Sequence, residues 1–133
     1  MFVNAPVSSV CNPEIRENSH EDACWLAEAG ACAASQGKFW EYHDLLFEKS
    51  PRQAPEELKQ YAKDLKLDGA AFAQCLDSGK EEPAVARDVE DGASLGVTGT
   101  PTFFINGRQL VGAQPLTAFQ KIIDAELARK PTP

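Results

Sequence analysis

Apolar side chains recur at helical spacing along most of this chain and gather into strand-like runs at two places. Phe2 and Val3 are good strand formers and Pro6 ends their run, so Met1–Val7 is predicted as a short strand. Ser8–Asn18 is loop-like, with Asn12-Pro13 as its turn signal. A helix is expected from about Ser19, whose hydroxyl can accept from a first-turn amide. Glu21 and Asp22 suit the positive end of that helix, which runs through an alanine-rich stretch to Gln36 and closes at Gly37. Phe39, Tyr42, Leu45 and Leu46 mark a second helix over Lys38–Glu48, followed by a loop at Ser50–Gln53.

Ala54-Pro55-Glu56-Glu57 opens a third helix with proline in its first turn, and Leu58, Tyr61, Ala62 and Leu65 form its apolar stripe. Asp68 can cap a short helix through Leu76, which Gly79 ends. Pro83 starts a helix carrying Val85 and Val89, and Gly96 follows its end. Strands are predicted at about Thr102–Ile105 and Arg108–Val111. Pro115 opens the last helix, with Leu116, Phe119, Ile123 and Leu127 at three- and four-residue steps; Lys130–Pro133 reads as a frayed tail. The predicted order is strand, five helices, hairpin, helix.

The densest signal lies between Gly96 and Gly107. Asn106-Gly107 between apolar runs is a strong hairpin turn, because both positions need positive φ. Pro101 follows Gly-Thr at the mouth of a strand, where a cis X–Pro bond and an ordinary trans loop are both open. A hairpin is marginal alone, and the N-terminal strand is the one further partner on offer.

Composition narrows the function classes. A chain of 133 residues with 43% apolar content can bury one core. Phe2, Trp25, Phe39, Trp40, Phe47, Phe72, Phe103, Phe104 and Phe119 are its candidate anchors, and the Phe39-Trp40 and Phe47 set reads as core packing. The net charge of −7 argues against nucleic acid and anionic membrane surfaces as partners. No run is long and apolar enough to insert into a bilayer, and the first residues lack the basic and apolar regions of a signal peptide. The acidic residues Glu56-Glu57, Glu81-Glu82 and Asp88, Glu90 and Asp91 read as solvated helix faces. His20 and His43 read as solvated side chains, with capping open to His43. The four cysteines Cys11, Cys24, Cys32 and Cys75 permit two disulfides in three connectivities. With no Cys-x-x-Cys anywhere, and His20 and His43 alone to assist the cysteines, a metal site is not expected; no cofactor is expected either.

The element order and several stretches resemble the DsbA-like thiol-disulfide oxidoreductases, whose fold is a thioredoxin core with a helical domain inserted in its middle. Ala31 to Phe47 resembles the first inserted helices, and Phe72 to Lys80 the last inserted helix and its exit. Gly96 to Gly107 resembles the cis-proline loop and third strand, and Leu110 to Pro115 the fourth strand and the start of the terminal helix. The resemblance implies an α/β, thioredoxin-like fold with an inserted helical subdomain and an incomplete sheet. It implies a single domain over residues 1–133. Residues 1–18 would be the second family strand and its loop, and 19–80 the helical insertion. Residues 81–133 would be a helix, the cis-Pro loop, the β-hairpin and the terminal helix.

One departure dominates. The family begins with a strand and a helix whose first turn holds Cys-x-x-Cys, and neither is found in this sequence. The missing strand lies, in the family, between the second strand and the hairpin. Met1–Val7 is therefore expected to pair directly with the hairpin, to swap between two chains, or to leave an open slot. Disulfide exchange needs a thiolate of lowered pKa and a second cysteine to resolve the mixed disulfide. The resemblance thus implies the C-terminal portion of a thiol-disulfide oxidoreductase that forms or exchanges disulfides in extracytoplasmic proteins, a truncated chain that is catalytically inactive by itself. Thr100 and Pro101 match the loop that presents backbone groups to an extended polypeptide bearing thiols or disulfides; they would bind and orient it.

Cys11 and Cys24 resemble a cysteine-bearing variation of some family members, either a disulfide or two unpaired thiols. Cys32 and Cys75 fall on inserted helices, either as a disulfide or as small core residues. The family implies a periplasmic or other extracytoplasmic location, and the open sheet raises a domain-swapped homodimer. A non-catalytic peptide-binding module and a redox switch built on Cys11 and Cys24 are the alternative functions.

Overall fold

The structure is a computed structural model that describes residues 1–16, 20 and 22–129. The expected cap Ser19, the first-turn Glu21 and the tail from Lys130 lie outside the described residues. The elements run α1 (Ala23–Ala34), α2 (Phe39–Lys49), α3 (Pro55–Asp64), α4 (Gly69–Asp77), α5 (Glu82–Ser94), β1 (Thr102–Ile105), β2 (Arg108–Val111) and α6 (Leu116–Ala128). They fall into two compact units, Met1–Ala93 and Ser94–Pro133.

In the first unit, helices α1 to α4 pack around one core. Ala29, Cys32, Ala33, Tyr42, Leu58, Tyr61, Ala62, Phe72, Cys75 and Leu76 fill it, and Leu26, Leu45, Leu46, Leu65 and Leu67 lean against it. Local chemistry explains the boundaries. Gly37 turns the chain out of α1 at φ +74°. Pro55 sits in the first turn of α3, where Glu57 Oε2 accepts from the Ala54 N–H at 3.1 Å. Asp68 Oδ1 accepts from the Ala70 and Ala71 amides at 3.0 and 2.9 Å, capping α4. Gly30 lets α2 approach closely, because a Cβ there would stand 3.3 Å from the Phe39 ring. Helix α5 buries Val85 and Val89.

Met1–Val7 forms no strand, contrary to expectation. A strand exists only as half of a ladder, and the one ladder among the described residues joins β1 to β2. The segment makes polar bonds to a helix instead: the Asn4 backbone N–H and side-chain Nδ2 both donate to Asp88 Oδ2, at 2.9 and 2.8 Å.

The aromatic anchors also divide differently. Phe72 is fully buried, but Trp40 and Phe47 are 58% and 74% exposed, and Phe2 and Trp25 are also exposed. Helix α2 has two apolar faces. Tyr42, Leu45 and Leu46 meet the core, while Phe2, Phe39, Trp40 and Phe47 form a ring cluster around His43, 4.9–5.9 Å from its imidazole centroid. Helical spacing identifies both stripes and cannot say which one is covered. His43 is therefore a member of an aromatic cluster, with Nδ1 3.0 Å from Asp44 Oδ1, rather than a plainly solvated side chain.

In the second unit, β1 and β2 pair antiparallel, with Thr102 opposite Val111 and Ile105 opposite Arg108. Asn106 at φ +49° and Gly107 at φ +82° make the turn between them. Phe103 meets Phe119 of α6 edge to face at 4.9 Å. Arg108 and Arg129 both reach Glu126, at 3.6 and 3.2 Å. No residue of α6 is fully buried, and Leu116, Ile123 and Leu127 of its predicted stripe are exposed. A two-stranded hairpin offers too narrow a face to cover a helix of 13 residues.

Candidate functional site

Two regions bring chemistry-bearing residues together, one in each unit. In the second unit the Thr100–Pro101 peptide bond is cis, and both residues are exposed. The loop is pinned on both sides of the bond. The Gly112 N–H, just past β2, donates to the Pro101 carbonyl at 2.7 Å, and Thr102 Oγ1 donates to the Gly99 carbonyl at 2.6 Å. Gly112 holds φ +85°, a conformation that glycine adopts without strain. Strand β1 continues from this loop and has β2 as its one neighbour among the described residues. An exposed strand edge is a place where an extended peptide can add.

In the first unit the structure chooses one of the three cysteine connectivities: Cys11–Cys24 and Cys32–Cys75, each with Cα atoms 6.0 Å apart. Asn12 shapes the loop that carries Cys11. It is buried, its Nδ2 donates to the Pro6 carbonyl at 2.9 Å, and its Oδ1 accepts from the Glu14 N–H at 3.1 Å. The disulfide anchors this loop to the first turn of α1. Beside it opens a cavity of about 300 Å³, lined by Val10, Cys11, Asn12, Glu28, Glu82 and Val85 among others. Burial pushes the Glu28 carboxyl above the usual carboxylate range, and the charge of Glu82 adds to the push. The second disulfide, by contrast, lies in the helical core.

The structure thus places Thr100 and Pro101 together at the mouth of β1, and the four cysteines in two separate bridges. Asn12 was legible as a turn residue, not as the buried organiser of the cysteine loop. The acidic pair escaped sequence reading altogether: Glu82 reads as a solvated helix residue, and the one available signal for Glu28 is its position one helical turn after Cys24. Among the described residues no three His, Cys, Asp or Glu side chains gather as metal ligands.

A model of the DSBA-like thioredoxin domain family matches residues 10–124 of the sequence. The chain belongs to that family. The helices and the small antiparallel sheet are accordingly those of a DsbA-like, thioredoxin-type α/β fold whose sheet is incomplete, and the family's chemistry is thiol-disulfide oxidoreduction. The chain is also similar to segments of longer proteins. It is 38% identical over 109 residues to the Na(+)/H(+) antiporter NhaA 3 of Salinispora tropica, covering 82% of this chain and 17% of the antiporter. It is 40% identical over 110 residues to the Na(+)/H(+) antiporter NhaA 1 of Salinispora arenicola, with shares of 82% and 17%. With the Na(+)/H(+) antiporter NhaA of Herminiimonas arsenicoxydans it shares 35% identity over 99 residues, 74% of this chain and 16% of that protein. The DsbA-like chain thus spans less than a fifth of these relatives' length. Among its described residues no helix is long and apolar enough to cross a membrane.

Proposed function

We propose that this chain serves thiol-disulfide chemistry as a client-gripping module. It holds an extended polypeptide bearing thiols or disulfides along β1 at Thr100–Pro101 and does not itself run a Cys-x-x-Cys cycle. The observation that carries this reading is the exposed Thr100–Pro101 loop at the start of a strand that has one ladder neighbour among the described residues, in a chain of the DsbA-like family. The sequence contains no Cys-x-x-Cys to supply a nucleophilic thiolate and its resolving partner. Two disulfides favour an oxidising compartment, so we place the chain outside the cytoplasm. Antiport, named for the relatives, forms no part of this reading, because their similarity covers 17% of the first one's length.

The test is titration of the chain with fluorescent cysteine-containing peptides of extended conformation. Thr100→Pro, which deletes a backbone donor at the loop, should weaken binding by about tenfold, the loss of one charge-neutral hydrogen bond or slightly more. Unchanged binding would remove Thr100–Pro101 from the site. Dithiothreitol-driven reduction of insulin should run at its uncatalysed rate with the chain present. Turnover that vanishes in Cys11→Ser would move the function to a redox switch at Cys11 and Cys24. A second copy is the competing occupant of the β1 edge; sedimentation showing a dimer that peptide does not dissociate would assign the edge to it.

A further inference from the structure

The four sulfurs differ in what can reach them. Cys32 and Cys75 are 0% and 7% exposed inside the helical core. Cys24 is 4% exposed, but its partner Cys11 is half-buried and forms part of the cavity wall. A thiolate must approach the sulfur that it attacks along the sulfur–sulfur axis, so a disulfide with one accessible sulfur is open to exchange at that end and closed at the other. The charged side chains on the cavity wall are two carboxylates, Glu28 and Glu82.

We propose that Cys11–Cys24 is a reactive disulfide that exchanges with cationic or neutral thiols entering the cavity beside Glu28 and Glu82, with Cys11 as the attacked sulfur. A thiolate forms a new bond to Cys11 Sγ as the Cys11–Cys24 bond breaks, and the electron pair leaves on Cys24 Sγ. Cys24 stands in the first turn of α1, where the positive end of the helix stabilises the departing thiolate. A second thiolate attacks the outer sulfur of the mixed disulfide and expels Cys11 as a thiolate. The two protons lost by the incoming thiols are taken up by Cys11 and Cys24. In balance, two small thiols are oxidised to their disulfide and one protein disulfide is reduced by two electrons.

The choice of thiol follows from charge. An anionic thiol would bring a further negative group to the two carboxylates that line the cavity, where burial and then the charge of Glu82 already disfavour the ionised Glu28. A cationic thiol relieves that repulsion, and the net charge of −7 acts in the same direction at longer range. This inference is independent of the peptide-binding reading, because it is measured without a client.

The oxidised chain is treated at about pH 8, near a thiol's ordinary pKa, with cysteamine or with mercaptopropionate at equal thiolate concentration. Aliquots are quenched with iodoacetamide and mapped by peptide mass spectrometry. The expected early product carries cysteamine on Cys11 and alkyl on Cys24. Cys32 and Cys75 should stay unlabelled for at least about tenfold longer. Cysteamine should outpace mercaptopropionate by about fivefold at low salt, given two carboxylates several ångströms away. That preference should fade in about 0.5 M salt and in Glu28→Gln and Glu82→Gln. Equal reduction of both disulfides, or a first adduct on Cys24, would overturn the assignment of the reactive bond. Equal rates for the two thiols at low salt would overturn the assignment of its substrate class.

Discussion

The Tyr42 hydroxyl donates to the Leu58 backbone carbonyl across 2.9 Å, and neither side chain reaches solvent. The bond ties α2 to α3 at the centre of the helical unit. Burial, and then the neighbouring Tyr61, push the Tyr42 phenol well above its ordinary range, so it stays a neutral donor. Tyr42→Phe keeps the ring against Phe72 and leaves the carbonyl without this donor. It should cost about 1–2 kcal/mol in urea unfolding, by the same amount from pH 6 to about 9. A loss that appears only at high pH would show that the phenol ionises in the folded state.

Asn4 is joined to Asp88 by two hydrogen bonds on one carboxylate oxygen. Asp88→Ala should loosen the N-terminal segment at Asn4 and cost about 1–2 kcal/mol, because both bonds have a charged acceptor and are partly shielded. Amide hydrogen exchange reports this locally. The Asn4 amide should lose its protection while the amides of α3 keep theirs.

The two disulfides should differ in their contribution to stability. Cys32–Cys75 closes a separation of 43 residues and Cys11–Cys24 one of 13. On the chain-entropy account these are worth about 4 and about 3 kcal/mol. The Cys32→Ser/Cys75→Ser pair also buries hydroxyls in an apolar core, so it should unfold at markedly lower denaturant than Cys11→Ser/Cys24→Ser. The reverse order would mean that the cysteine loop, not the core bridge, limits unfolding.

Glu28 gives a pH dependence of defined sign. Its carboxyl is raised in the folded state by burial and then by Glu82, so the folded chain keeps a proton that the unfolded chain releases. The contribution of this group to stability is therefore complete below the unfolded carboxylate pKa and is lost as pH rises through the folded value. Glu28→Gln should flatten that part of the profile and leave the variant more stable than the parent near neutrality, by about 0.5 kcal/mol. Thermal melts of both proteins between pH 4 and about 7 provide the comparison.

Several of these features were legible along the chain because they depend on neighbouring residues alone. The hairpin appears at Thr102–Ile105 and Arg108–Val111 as predicted, since Asn106-Gly107 supplies both positive φ values locally. Pro55, Asp68 and Gly79 act as helix punctuation for the same reason. The absence of a Cys-x-x-Cys pair needs no folding to be read. At the candidate site, Thr100 and Pro101 could be named from the family resemblance of their loop, whereas Glu28 and Glu82 could not.

What the sequence by itself determined is the set of helices, the turn chemistry and the spacing of the four cysteines, all read within a few residues of each position. Only the tertiary structure decided which aromatic face of α2 is covered, which cysteine meets which, and that Phe2 and Val3 find no ladder. Each of those outcomes depends on a group far along the chain: Phe72 is buried because four helices close over it, and Cys32 finds Cys75 across 43 residues. Spacing along a chain records which side chains share a face, and packing alone settles what that face meets.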